Sequence, residues 1–219
     1  MRVLFDAELK QLGDDLVAMA RHVESAVSRA SRALLSGDVE LAQAVIADDH
    51  ILDEIEERVD EQSVQLIAQQ QPVGMDLRTI IVAMRISAGL ERMGDLAQHI
   101  AEAARRAYPD SAIPASHRQI LEEMAAAAEH LATLAARLLE THDLDVAAEI
   151  FTSDDTLDHL HEKAYAALLD KKYKGSAQAT LDVALLARFY ERIGDHAVGV
   201  SRRMVYLVTG DYSGERGAI

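Results

Sequence analysis

Leu90-Glu91-Arg92-Met93-Gly94-Asp95-Leu96-Ala97 recurs as Tyr190-Glu191-Arg192-Ile193-Gly194-Asp195-His196-Ala197. Six spaced identities or close matches across so short a window rarely arise by chance, so the chain reads as one unit present twice. Upstream, Asp49-His50-Ile51-Leu52-Asp53 matches Asp154-Asp155-Thr156-Leu157-Asp158. That register is five residues longer, so the second copy has lost residues where Gln71-Pro72-Val73-Gly74-Met75-Asp76 has only a shorter counterpart.

The segments around these repeats are helical. Leu9, Leu12, Leu16, Met19, Val23 and Val27 are spaced by threes and fours, which predicts a first helix from about Ala7 to Leu35. Asp38 reads as the N-cap of a second helix carrying Val45, Ile46, Leu52, Ile55, Val59 and Leu66 and ending before Pro72. A third runs from about Asp76 to Ala107. Two of the three prolines fall in Tyr108-Pro109-Asp110-Ser111-Ala112-Ile113-Pro114, which marks a linker. Ser116 is the expected cap of a fourth helix (Leu121, Met124, Leu131, Leu134, Leu138), which stops near His142. A fifth extends to about Lys172, and a sixth from Ala177 to Val208. The expected fold is all-α, two tandem three-helix bundles related by internal duplication, with six long antiparallel helices. The first repeat covers 1–108, the linker 109–115 and the second repeat 116–210, and residues 211–219 read as a flexible tail.

Composition agrees with a bundle and narrows the function. Apolar residues are 49% of the 219 but aromatics only 4%, so the core is built from Ala, Leu, Val and Ile at close helix–helix distance. The 37 acidic residues outnumber 22 Lys and Arg, and a net charge of −15 repels nucleic acid and anionic membranes. The absence of cysteine excludes thiolate metal sites and disulfides. No signal peptide or membrane-spanning run is evident, and a cytoplasmic location is expected.

Each unit carries an acid-x-x-x-Asp pair on its second and third helices: Asp49 with Asp53 and Glu91 with Asp95, then Asp154 with Asp158 and Glu191 with Asp195. Residues four apart share a helix face, where two like charges cost roughly 0.2 to 0.5 kcal/mol per pair. One such pair on an acidic protein is an ordinary solvated face. Four at matching places in both repeats point to cation sites, with oxygen donors suited to Mg²⁺, Mn²⁺, Ca²⁺ or iron. Glycine inside a helix costs about 1 kcal/mol relative to alanine, so Gly94 and Gly194 mark close helix approach or room beside an ion. His99, His161 and His196 lie within a turn of these acids, although a histidine on a helix surface is more often merely solvated.

On the helical wheel, Tyr190, Ile193, Ala197, Val200, Met204 and Leu207 form a stripe roughly 140° from Glu191 and Asp195, which predicts carboxylates facing away from the local core. In the third helix Leu77, Ile81 and Met84 align with Glu91 and Asp95. That second apolar side predicts cover by the other repeat or by a second subunit, and a homodimer is expected. The only acid-x-x-His spacing is Asp158 to His161, so the paired Glu-x-x-His of buried di-iron bundles is missing. No phosphate-binding glycine loop, nucleophile triad or His-Glu-x-x-His is present either, and no catalytic residues are expected.

These residues resemble the PhoU family, regulators of bacterial phosphate uptake. The likeness is carried by Gln70-Gln71-Pro72-Val73 with Asp76-Leu77-Arg78, by the two Glu-Arg-x-Gly-Asp repeats and by the acid pairs on the preceding helices. The resemblance implies two three-helix bundles, iron or zinc clusters on the paired acids, and no catalysis. It further implies negative control of phosphate-starvation genes, through a link between the ATPase of the phosphate-specific ABC transporter and a sensor histidine kinase, with recruitment to the inner face of the membrane by that transporter. The second repeat departs from the pattern where Gly175-Ser176-Ala177-Gln178 replaces the Pro-Val…Asp-Leu-Arg turn. A metal-buffering or storage bundle is the alternative, followed by a purely structural module. A metal-assisted hydrolase ranks last, for want of a recognisable general base.

Overall fold

The computed structural model of the chain describes residues 2–211, with side chains from Phe5 onward. The rest of the expected tail, 212–219, lies outside the described residues. Seven α-helices are present: α1 (Arg2–Ser36), α2 (Val39–Asp48), α3 (His50–Gln70), α4 (Met75–Ala107), α5 (Arg118–Thr141), α6 (Leu144–Leu169) and α7 (Ala177–Thr209). The described residues contain no strand, and none of their helices is long and apolar enough to cross a membrane.

Local chemistry sets most helix ends. Gly37 at φ 69° stops α1, and the Asp38 carboxylate then accepts the Leu41 N–H at 2.9 Å to start α2. Asp143 and Ser176 cap α6 and α7 in the same way. Asp76 in the first turn of α4 and Arg105 and Arg106 in its last complement the helix dipole. At the end of α7, Gly210 takes φ 76° beneath the Arg78 guanidinium. The positive φ favours glycine there, while an added Cβ, 2.5 Å from Arg78 Nη1, would displace only the end of that flexible side chain.

Four boundaries differ from expectation. α1 is already helical at Arg2 rather than from Ala7. The second rod of the first repeat tightens at Asp49, which keeps right-handed helical backbone (φ −59°, ψ −37°) while the Leu52 N–H bonds to the Asp49 carbonyl at 3.0 Å. His50 Nδ1 lies 2.7 Å from the Ala47 carbonyl oxygen, which the Nδ1–H tautomer satisfies. Ser116 does not cap α5. It sits in a 3₁₀ turn, Ala115–His117, with its hydroxyl 3.0 Å from His117 Nδ1. The fifth rod stops at Leu169 rather than Lys172, because Asp170 turns extended and its carboxylate accepts the Lys172 N–H at 2.8 Å.

α1 to α4 fall in the first repeat and α5 to α7 in the second, and one continuous apolar core runs through both. α4 and α7 pack antiparallel along their length. Arg78 lies over the Tyr206 ring, the space above Gly89 is filled by Val200, His99 stacks on Phe189, and Arg106 pairs with the buried Asp182 at 2.7 Å. α1 packs on α5, where Arg21 grips Glu140 with two bonds. Of the predicted α7 stripe, Tyr190, Ile193, Ala197, Val200 and Met204 are buried, whereas Leu207 is only partly so. Toward the start of α4 its second apolar side is only partly covered: Leu77 and Met84 are half-buried and Ile81 is 40% exposed.

Candidate metal centres

The carboxylates of each repeat are held by a short set of contacts between neighbouring helices. In the first repeat Leu52 and Asp49 lie over Gly94 of α4. A Cβ there would stand 2.1 Å from Leu52 Cδ1 and 3.9 Å from Asp49 Oδ1, so glycine is what lets α3 approach. Asp49 caps nothing with its side chain and is left for the site. A small cavity of about 20 Å³ opens beside it, lined also by His22, Arg29, Asp48 and Gly94.

The mutual repulsion of the acids shows which of them face one another. Burial raises the Asp49 carboxyl above its ordinary value, and the charges of Asp95 and Asp53 raise it further. Glu91 is pushed up to about 7 by burial and then by Asp95. Glu91 is only 9% exposed, and the cover over this side of α4 comes from α3 of the same repeat rather than from the other repeat or a second subunit. Glu56, absent from the predicted set, joins the cluster: burial, Asp60, Asp53 and Asp95 raise it, and it in turn raises Glu91. Its sequence signal is the spacing Asp49, Asp53, Glu56, which keeps one helix face through two turns.

The second repeat matches this. Asp154 is pushed up to about 7, first by burial, then by Asp158 and Asp195, with Asp155 and Glu191 adding to it. Burial and Asp195 also raise Asp158 and Glu191. Gly194 is the cradle here, for a Cβ would stand 2.3 Å from Asp154 Oδ1 and 3.0 Å from Leu157 Cδ2. That oxygen is buried without a hydrogen-bond partner, a costly state for a polar atom unless another group fills the place.

As the side chains stand, no three His, Asp or Glu groups among the described residues are gathered tightly enough to hold one ion. Arginines account for part of the spread. Arg92 draws Asp95 at 2.6 Å and Glu91 at 3.2 Å, and Arg188 draws Glu191. His161 has a buried, unpartnered Nε2 and lowers Asp158 and Glu191. His99, 3.2 Å from Glu102, likewise lowers Asp49. His196 Nε2 is also buried and unpartnered, and burial and then Arg192 lower its pKa, with Asp195 acting the other way. In the second repeat the orphaned Asp154 oxygen and the orphaned His161 nitrogen are donors of the kinds divalent cations take.

A family model described as the PhoU domain matches residues 16–104 and again 121–204, once in each repeat. The chain is 38% identical over 212 residues to the phosphate-specific transport system accessory protein PhoU homolog 2 of Mycobacterium tuberculosis, covering 97% of this chain and all of that one. It is 36% identical to the PhoU homolog of Rhizobium meliloti over 94% of this chain and 87% of the relative. Among solved structures, PhoU from Pseudomonas aeruginosa superposes with a TM-score of 0.87 at 30% identity, over 94% of this chain and 100% of that one. The phosphate transport system regulatory protein PhoU from Streptococcus pneumoniae gives 0.82 at 25%, over 95% and 98%. Duplicated helices, duplicated acid pairs and full-length similarity agree that the chain belongs to the PhoU family.

Proposed function

We propose that this chain is a non-enzymatic accessory regulator of phosphate uptake that holds phosphate-starvation signalling off, acting in the cytoplasm between the ATPase of a phosphate-specific ABC transporter and a sensor histidine kinase. The observation that carries the reading is similarity along nearly the whole chain to relatives named as accessory proteins of that transport system. A regulator of this kind needs a rigid body whose surfaces bind partners differently in two states, and a continuous bundle core supplies one. Affinity capture of the full chain from cells grown in high phosphate is expected to bring down the transporter ATPase and the kinase. Recovery of neither overturns the reading.

Asp49, Asp53, Glu91 and Asp95 form one metal site in this reading, and Asp154, Asp158, Glu191 and Asp195 the other. Bound metal neutralises the crowded carboxylates and ties α3 to α4 and α6 to α7. Glu91→Ala with Asp95→Ala is expected to remove metal from the first repeat only, leaving about half the wild-type content by elemental analysis. Loss from both repeats contradicts two separate sites. Chelation is expected to lower the melting temperature, and unchanged melting with the metal demonstrably gone rules out the tying role.

A further inference from the structure

We propose that the turn between α6 and α7 docks on an anionic membrane surface, with Lys171, Lys172 and Lys174 meeting lipid phosphates and Leu169 and Leu181 entering the headgroup layer. Such contact needs no metal and is made by this chain itself, beyond any recruitment by a transporter.

Charge sets the turn apart. From Lys163 to Leu181 the sequence holds four of the chain's five lysines and a single acid, Asp170. A chain of net charge −15 therefore reverses its sign at one place. Lys163, Lys171, Lys172 and Lys174 are all exposed, and none pairs with an acid among the described residues. Beside the turn, Arg106 pairs with Asp182 and Arg118 with Glu122, so these neighbours add no net charge.

Local bonds hold the turn in shape. The Asp170 carboxylate accepts the Lys172 N–H at 2.8 Å, and the Asp170 carbonyl accepts the Tyr173 N–H at 2.9 Å. Tyr173 is tied down: its ring meets His117 edge-on at 5.2 Å, and Thr180 Oγ1 donates to its hydroxyl at 3.4 Å. The lysines on either side of it stay in solvent.

Apolar side chains stand beside them. The Tyr165 hydroxyl donates to the Ala184 carbonyl at 3.4 Å, and one turn nearer the tip that register brings Leu169 of α6 level with Leu181 of α7. Leu169 is 85% exposed, more than any other large apolar side chain among the described residues, and Leu181 is 54% exposed. Exposed leucines flanked by lysines suit a lipid interface, where apolar groups enter the acyl boundary and ammonium groups reach phosphate. Arginines outnumber lysines seventeen to five in the chain, yet this turn uses lysine alone. A lysine is a mobile point charge that fits a fluid array of phosphates, whereas the arginine fork fits one carboxylate held in place.

The acidic body does not prevent the approach. The 33 residues of α7 span about 50 Å, whereas charge is felt over only about 10 Å at 0.1 M salt. Glu162 stands about 10 Å below Leu169, at the limit of that range, and Glu191 lies about 20 Å along α7 from Ala177. End-on docking thus brings the lysines to the surface and leaves most of the acids screened. The first repeat supplies a contrast. Val64 and Ile81 occupy the positions of Leu169 and Leu181 and are 60% and 40% exposed, but no charged residue occurs from Gln62 to Met75.

The test co-sediments the full chain with phosphatidylcholine vesicles, with and without phosphatidylglycerol. A chelator is present throughout, so that metal cannot bridge carboxylates to phosphate. Binding is expected only where phosphatidylglycerol is present, and it weakens as salt rises. Changing Lys171, Lys172 and Lys174 together to Gln is expected to lower the partition coefficient about a hundredfold, roughly fivefold for each lysine. The same three changed to Arg keep the charge and bind as wild type does. Leu169→Ser with Leu181→Ser is expected to cost about tenfold, and Val64→Ser with Ile81→Ser nothing. Absence of binding, equal binding to both kinds of vesicle, or undiminished binding by the Gln variant overturns the inference. Capture of an acidic protein through the same lysines, without vesicle binding, assigns the turn to a protein partner and overturns it too.

Discussion

Stripped of metal, the protein is expected to melt on the order of 10 °C higher near pH 5.5 than at pH 8, the reverse of ordinary acid destabilisation. Seven carboxyls, those of Asp49, Glu56, Glu91, Glu129, Asp154, Asp158 and Glu191, are held above their ordinary values, each chiefly by burial. An acid whose folded value lies above its unfolded one binds its proton more tightly in the fold. Its contribution is complete below the unfolded value, near 4, and is lost as pH rises through the folded value, about 7 for Glu91 and Asp154. At about 1.4 kcal/mol per pH unit, and allowing for solvent screening at the edges of the clusters, each of these two costs on the order of 2 kcal/mol at pH 8.

His117 and His196 oppose the trend at the acid end. Burial lowers both, so what they contribute is present above about 6.5 and lost as pH falls. Two imidazoles against seven carboxyls leave the optimum on the acid side of neutrality. Restoring metal reverses the slope, because cations and protons compete for the same oxygens. Thermal melts across pH on chelated and reloaded protein check both halves of the statement. A melting temperature that falls steadily from pH 8 to 5.5 in the chelated protein contradicts the first.

Tyr190→Ala is expected to cost about 3 to 5 kcal/mol, the range for emptying a large aromatic site in a closed core. Tyr190 is fully buried and heads the apolar stripe of α7. Its hydroxyl donates to Ser31 Oγ of α1 at 3.2 Å, and Ser31 also supports Glu129 of α5. One side chain thus joins three helices from both repeats, and its removal loosens all of them. Tyr190→Phe keeps the ring and loses only the hydrogen bond, for about 1 kcal/mol. Urea denaturation of the two variants beside wild type separates the terms. A loss under about 1 kcal/mol for Tyr190→Ala contradicts the packing argument.

How far the sequence could be read follows from which effects are local. The stripe from Tyr190 to Met204 and the caps at Asp38, Asp143 and Ser176 are set by nearby residues, and both helix spacing and capping chemistry show them. The tightened turn at Asp49 has no Pro or Gly to announce it, for it depends on one local hydrogen bond and on His50 Nδ1 meeting the Ala47 carbonyl. The wheel of α4 shows two sides to be covered, but that α3 lies over Glu91 depends on packing between helices. Glu56 escaped notice because an acid-pair search stops at the fourth residue.

The seam between α4 and α7 has a two-fold character. Position 89 meets Val200 while position 99 meets Phe189, so with the repeats exchanged these two contacts correspond to within one residue. Such reciprocity is what two identical subunits produce. A single repeat carrying this seam is suited to pairing with a second copy of itself. Held in one chain, the two repeats can carry different side chains at matching positions, as Glu56 and His161 do, which a symmetric pair of identical subunits cannot.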